Sequence, residues 1–187
     1  MSADSFKDVR RSGLIAIRLD KDDALKSALL VEKGDDVLLG SNNGQSIRFK
    51  ESDIREMGRS AGGVRAISLG KGDSVVSVDA IRKGDNDGSF LVMSENGLGK
   101  KTSIKEYKVQ KRGGSGVLTA KITPKTGKLI IGKIVKSEGE GEMVAISKKG
   151  QVIRVELSAI PSLGRQTQGV TVMKLRAGDT IASLTIL

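Results

Sequence analysis

Three short motifs, Ser41-Asn42-Asn43-Gly44, Ser94-Glu95-Asn96-Gly97 and Ser147-Lys148-Lys149-Gly150, set their glycines 53 residues apart, and that register continues without a gap well past the motif. Arg48 falls on Lys101 and Arg154, Ile54 on Tyr107 and Ile160, and Arg59 on Arg112 and Arg165. Gly63-Val64 falls on Gly116-Val117 and Gly169-Val170, and Leu69 on Ile122 and Leu175. A period of this length confines the chain to an array of like units, each burying its faces against its neighbours. A single barrel built from unrelated hairpins needs no equal periods.

Each unit reads as strands. Before the shared glycine stand short apolar runs, Val37-Leu38-Leu39, Phe90-Leu91-Val92-Met93 and Met143-Val144-Ala145-Ile146. Asn43-Gly44 and Asn96-Gly97 supply hairpin turns. A second turn signal recurs at Gly70-Lys71-Gly72-Asp73, Pro124-Lys125-Thr126-Gly127 and Arg176-Ala177-Gly178-Asp179, followed by β-branched runs such as Ser74-Val75-Val76-Ser77-Val78. The expectation is an all-β, propeller-like β-pinwheel with blades of about four strands. Residues 1–34 match the second half of a unit, because Arg10 to Leu19 follow the pattern of Arg59 to Leu69 with a one-residue gap. Residues 35–88, 89–141 and 142–187 are then one blade each, three and a half repeats in all, and the polar stretches at 82–88 and 136–141 are loops between units.

The chain has no cysteine and no histidine, which removes disulfides, thiolate or imidazole metal sites and the histidine-based catalytic sets. No cofactor and no metal are expected, and no catalytic residues. No apolar run approaches the roughly 20 residues that span a bilayer, so no membrane contact and a cytoplasmic location are expected. Thirty-two basic against 22 acidic residues give a net charge of +10, which predicts attraction to a polyanion. With three Phe, one Tyr and no Trp, the aromatic platforms on which single strands stack are missing, and duplex DNA is the better partner.

The excess charge is concentrated. Residues 89–135 hold ten basic and two acidic residues. Because Arg48, Lys101 and Arg154 are equivalent, and Arg59, Arg112 and Arg165 likewise, a circular array sets them at regular steps, a ring of cations suited to curved duplex. Candidate DNA contacts are Arg48, Arg59, Lys100, Lys101, Lys108, Lys111, Arg112, Lys148, Lys149, Arg154 and Arg165. Phosphate contacts of this kind predict weak sequence selectivity and sensitivity to DNA bendability. The competing role for Arg59 and its equivalents is to tie a turn to a carboxylate in their own unit. Gly113-Gly114-Ser115-Gly116 reads equally as a backbone nest for phosphate or as a loop needing unusual φ. Gly97-Leu98-Gly99-Lys100-Lys101-Thr102-Ser103 fails as a P-loop, since Ser94 stands where the first glycine belongs and Lys101 where Ser or Thr should follow the lysine.

Arg48-Phe49-Lys50-Glu51-Ser52, Gly99-Lys100-Lys101-Thr102-Ser103 with Glu106-Tyr107, and Gly164-Arg165-Gln166-Thr167-Gln168-Gly169-Val170 closely resemble repeats of the DNA gyrase A C-terminal domain. That resemblance implies a β-pinwheel with six blades in the family, whose basic outer rim wraps duplex DNA for negative supercoiling by a type IIA topoisomerase. It also implies a piece covering the last blades, with catalytic residues elsewhere and the remainder of gyrase A and gyrase B as partners in the bacterial cytoplasm at the nucleoid. Gln110-Lys111-Arg112-Gly113-Gly114-Ser115-Gly116 resembles the family's seven-residue box, with Ser115 in place of its basic sixth residue. Tyr107, aligned with Ile54 and Ile160, is expected to pack. An incomplete array exposes strand edges and invites self-association. Two alternatives are the equivalent domain of topoisomerase IV and, from another class, a propeller-like protein-interaction scaffold.

Overall fold

The computed structural model describes residues 1–136 and 140–187, so part of the loop expected at 136–141 lies outside the described residues. The chain is all-β, with eleven strands in three sheets among the described residues. Each of the three repeats opens with a hairpin: β1 (Asp36–Ser41) with β2 (Gln45–Lys50), β4 (Ser89–Ser94) with β5 (Leu98–Ser103), and β8 (Glu142–Ser147) with β9 (Val152–Glu156). Glycine closes every hairpin at φ +80° to +85°, as at Gly44, Gly97 and Gly150. The third strand of each repeat, β3 (Val75–Ile81), β7 (Leu129–Val135) or β11 (Ile181–Ile186), returns antiparallel beside the first.

The fourth strand comes from the following repeat. Between hairpin and third strand, the second repeat sends β6 (Val117–Leu118) to the outer edge of β2, and the third sends β10 (Val170–Thr171) to β5. Sheet orders are therefore β3-β1-β2-β6, β10-β5-β4-β7 and β11-β8-β9. A repeat in the sequence and a sheet in space are offset, and each exchange joins one blade to the next. The joint needs glycine. Gly116 (φ +73°) lies with its α-carbon against the carbonyl of Ser46, and at Gly169 (φ +82°) an added Cβ would stand 2.6 Å from the carbonyl oxygen of Gly99.

Sheets stack face to face on apolar residues. Leu38 and Ile81 of the first sheet meet Phe90, Val92, Ile104 and Tyr107 of the second, and Leu91 and Met93 meet Met143, Ala145, Leu157 and Ile181 of the third. Neighbouring sheets approach most extensively through β3 and β7, which makes β6 and β10 peripheral. Tyr107 packs, as its alignment suggests: it is 1% exposed, edge-on to Phe90 at 5.7 Å, with its hydroxyl 2.6 Å from Thr119 Oγ1. Residues 1–34 form one 3-10 turn, Ala3–Phe6, and no strand. The half-repeat there follows the sequence pattern, but a strand needs a ladder partner, and none stands beside it among the described residues.

Candidate nucleic-acid interface

The expected ring of cations divides into inward and outward groups. Arg48 points inward. Its Nε donates to Asp36 at 2.8 Å and its Nη1 reaches the carbonyls of Ile104 and Tyr107, in the 3-10 corner of the next repeat, at 3.3 and 3.4 Å. Lys101, one repeat later, does the same: its Nζ donates to Leu157 O at 2.6 Å, and the side chain is 5% exposed. Both bonds span 56 residues, so one position ties successive sheets together. Burial lowers the Lys101 pKa. Arg154, third in the series, meets no next corner among the described residues. It is exposed and pairs with Glu142 of its own hairpin, a contact that raises its pKa.

The second set behaves alike. Arg112 Nη1 donates to Arg65 O at 2.9 Å and Arg165 Nη1 to Leu118 O at 3.1 Å, each 47 residues back, while Arg59 Nη1 reaches Ile15 O at 3.0 Å. The partners are backbone carbonyls of the preceding repeat, where a carboxylate within the same unit was the competing expectation. Only Arg165 also lies near a carboxylate, with its Nε 3.8 Å from Glu106 Oε2.

Lys100, expected to face DNA, occupies the place of Ile47 and is 1% exposed. Its Nζ donates to Gly164 O and Arg165 O at 2.6 Å and to Thr167 Oγ1 at 3.0 Å. Desolvation, opposed by Glu106 and aided by Arg165, lowers its pKa to about 8. An unfolded chain would hold that proton up to about 10.5, so between pH 8 and 10 unfolding takes up a proton and stability rises with pH. Above pH 10 the buried Tyr107 phenol, pushed up to about 12, works in the opposite sense. Urea denaturation from pH 8 to 10 should therefore show the native chain gaining stability relative to Lys100→Met; parallel pH profiles would refute the assignment.

The outward cations lie elsewhere. Lys108 and Lys111 are exposed on the peripheral segment that leads to β6, and Lys121 follows it. At the hairpin-tip end stand Lys148 and Lys149, both exposed, with Lys71, Lys125, Lys128, Lys174 and Arg176. These tips adjoin one another: Lys128 Nζ reaches Gly72 O at 3.2 Å, Leu129 N donates to Asn42 O, and Ile181 N to Glu95 O. The carboxylates at this end turn inward. Asp73 accepts from Ser41 Oγ and Asn43 N, Asp179 from Ser147 Oγ and Lys149 N, and Glu95 from Lys128 N. A positive surface thus runs over the second and third sheets. Lys71, Lys121, Lys125, Lys128, Lys174 and Arg176 were not singled out by alignment, because they sit in turns where the repeats differ; exposed turn position was the available signal. Gly113-Gly114-Ser115-Gly116 serves the strand joint, with Gly113 N donating to Ala66 O at 2.7 Å and Gly114 O accepting from Ser68 N.

Among the described residues no helix is long and apolar enough to cross a membrane, and no three His, Cys, Asp or Glu side chains are grouped to hold a metal. The chain is 37% identical over 183 residues to the DNA gyrase A protein of Staphylococcus epidermidis and 39% identical over 181 residues to that of Mycobacterium tuberculosis. These matches take in 98% and 96% of this chain, but only 20% and 21% of the relatives' lengths. A solved DNA gyrase A C-terminal domain superposes with a TM-score of 0.84 at 28% identity, covering 94% of this chain and 58% of that one. The C-terminal domain of DNA topoisomerase IV shares the fold, with a TM-score of 0.88 at 23% identity over 98% of this chain and 56% of that one. The family model described as DNA gyrase C-terminal domain, beta-propeller, matches residues 1–32, 35–82, 88–136 and 141–187, and the chain belongs to that family.

Proposed function

We propose that this chain binds duplex DNA without catalysing its breakage, along the exposed lysines of the second and third sheets, and so bends or wraps it for a gyrase. The observation that carries the reading is the hairpin-tip surface, where seven cations from adjoining turns face outward while Asp73, Glu95 and Asp179 are engaged by hydroxyls and backbone N–H groups of neighbouring turns. Strand breakage and ATP use are assigned to other parts of gyrase A and to gyrase B, in the bacterial cytoplasm at the nucleoid. Lys108, Lys111, Lys148 and Lys149 stay in the contact set with Lys121, Lys125 and Lys128; Arg48, Lys100 and Lys101 act by holding the track in shape. Ammonium groups on turns read phosphate, not base edges, so selectivity is weak and DNA bendability matters.

Fluorescence anisotropy with random-sequence duplex across a salt series tests this. Each neutralised phosphate contributes a slope of about −0.9 to log affinity against log salt. Replacing Lys125, Lys128, Lys148 and Lys149 together by glutamine should weaken binding by about tenfold or more and flatten the slope by several units. Replacing Lys21 and Lys26 should do little. Equal effects of the two sets, or no binding at low salt, would leave the scaffold reading in place of DNA.

A further inference from the structure

Every repeat sets a carboxylate on the main-chain N–H of the residue that leads into its third strand. Ser74, Lys128 and Thr180 hold this position, because each accepts at its carbonyl from the residue just after the hairpin serine, Asn42, Glu95 or Lys148, at 2.8–2.9 Å. Their own N–H groups donate to Asp73, Glu95 and Asp179, each at 2.9 Å.

Two of these carboxylates are locked in place. Asp73 also accepts from Ser41 Oγ and Asn43 N, and Asp179 from Ser147 Oγ and Lys149 N, so three donors hold each of them. Glu95 comes instead from the hairpin, and among the described residues Lys128 N is its one donor, in an exposed bond. The cause lies in the turn. Ser94 pairs with Leu129, 35 residues on, whereas Ser41 pairs with Val75 and Ser147 with Ile181, each 34 on, so the second turn is one residue longer. Gly127 then stands where the two aspartates stand, at φ +65°, and the Glu95 side chain lies in the space its missing Cβ leaves. This turn closes without a carboxylate of its own, through Thr123 and the buried Thr126, with Asn96 Nδ2 on the carbonyls of Pro124 and Lys125.

Lys125 and Lys128 are exposed here, and Lys128 Nζ, 3.2 Å from Gly72 O, brings the Lys71 turn alongside. The second sheet packs against a sheet of this chain on each face, so the turn lies within the array and not at its end. An oxyanion on a main-chain N–H among lysines has the geometry of a phosphate contact, and the Glu95 carboxylate stands in for the phosphate oxygen. We propose that one phosphate of the bound duplex takes the Lys128 N–H from Glu95 and is gripped by the ammonium groups of Lys125 and Lys128, while Asp73 and Asp179 keep the equivalent N–H groups of the other two repeats closed. Glu95 competes with DNA for its own turn and lowers the affinity by the fraction of time it is seated. The inference rests on the duplex-binding reading and narrows it to one anchoring contact.

Anisotropy with random-sequence duplex at fixed salt, on the 187-residue chain, tests it. Glu95→Ala should bind about three to ten times more tightly than the native chain. Asp85→Ala removes an equal charge from the loop at the opposite end of the same sheet and should change the affinity by less than about twofold. Nitrogen-15 amide spectra give a second readout. On addition of duplex to the native chain, the Lys128 amide should move much further than the amides of Ser74 and Thr180, whose aspartates stay seated. Native binding with Glu95→Ala no tighter, an equal gain from Asp85→Ala, or three amides that move alike would overturn the proposal and leave the DNA surface standing. No duplex binding at low salt by the native chain or by Glu95→Ala would remove both.

Discussion

Gly116→Val should destabilise the fold by about 3 kcal/mol or more in urea denaturation, while Gly63→Val, at the equivalent position one repeat earlier, should cost about 1–2 kcal/mol. Both glycines have a positive φ, +73° and +79°, so both variants carry the left-handed backbone strain of a β-branched residue. Only Gly116 lies against Ser46 O, so only there must β6 leave β2 and forfeit the pairs Gln45 with Leu118 and Ser46 with Val117. The difference between the two variants isolates the exchanged strand from the turn it grows out of. Equal losses would mean that the glycine is retained for backbone conformation and that the exchange contributes little to holding successive sheets together.

The 53-residue register showed in advance which residues are equivalent, and the equivalence survives in space: Arg48 with Lys101 and Arg112 with Arg165 make the same bonds one repeat apart. The direction of those side chains was not legible. Alternation along a strand separates two faces but does not say that both are covered. In β5 both are: Lys100 and Lys101 are neighbours on opposite faces, and each is buried, one against the loop at 164–167 and the other against the corner at Leu157. A strand pattern rich in lysine reads as a wet face, yet here the ammonium groups are turned onto backbone carbonyls of the next repeat, at Leu157, Gly164 and Arg165. The offset between repeat and sheet was equally hidden, since two-residue strands such as β6 have no periodicity to display and their partner lies about 70 residues away, Ser46 for Val117. The hairpins, the turns before each third strand and the packing role of Tyr107 were legible because their causes are local.

The same contrast between equivalent positions decides what the repeated cations are for. Arg48→Ala should lower stability by about 3–5 kcal/mol, because it strips the partner from Asp36, a carboxylate 15% exposed, leaves the Tyr107 carbonyl without its donor and leaves Ile104 O with the Tyr107 N–H alone. Arg154→Ala should leave the urea midpoint almost unmoved, since its pairing with Glu142 is solvent-exposed and screened. If the repeated position were instead a phosphate contact, the two substitutions would weaken DNA binding alike and neither would much affect folding. Denaturation and anisotropy on the same two variants separate these cases. Loss of stability confined to Arg48→Ala, with affinity retained by the folded fraction of both proteins, makes the repeated cation a clamp between sheets and leaves the outward lysines as the DNA surface. Equal loss of affinity with intact stability returns the position to the interface and removes the basis for placing the track on the hairpin tips.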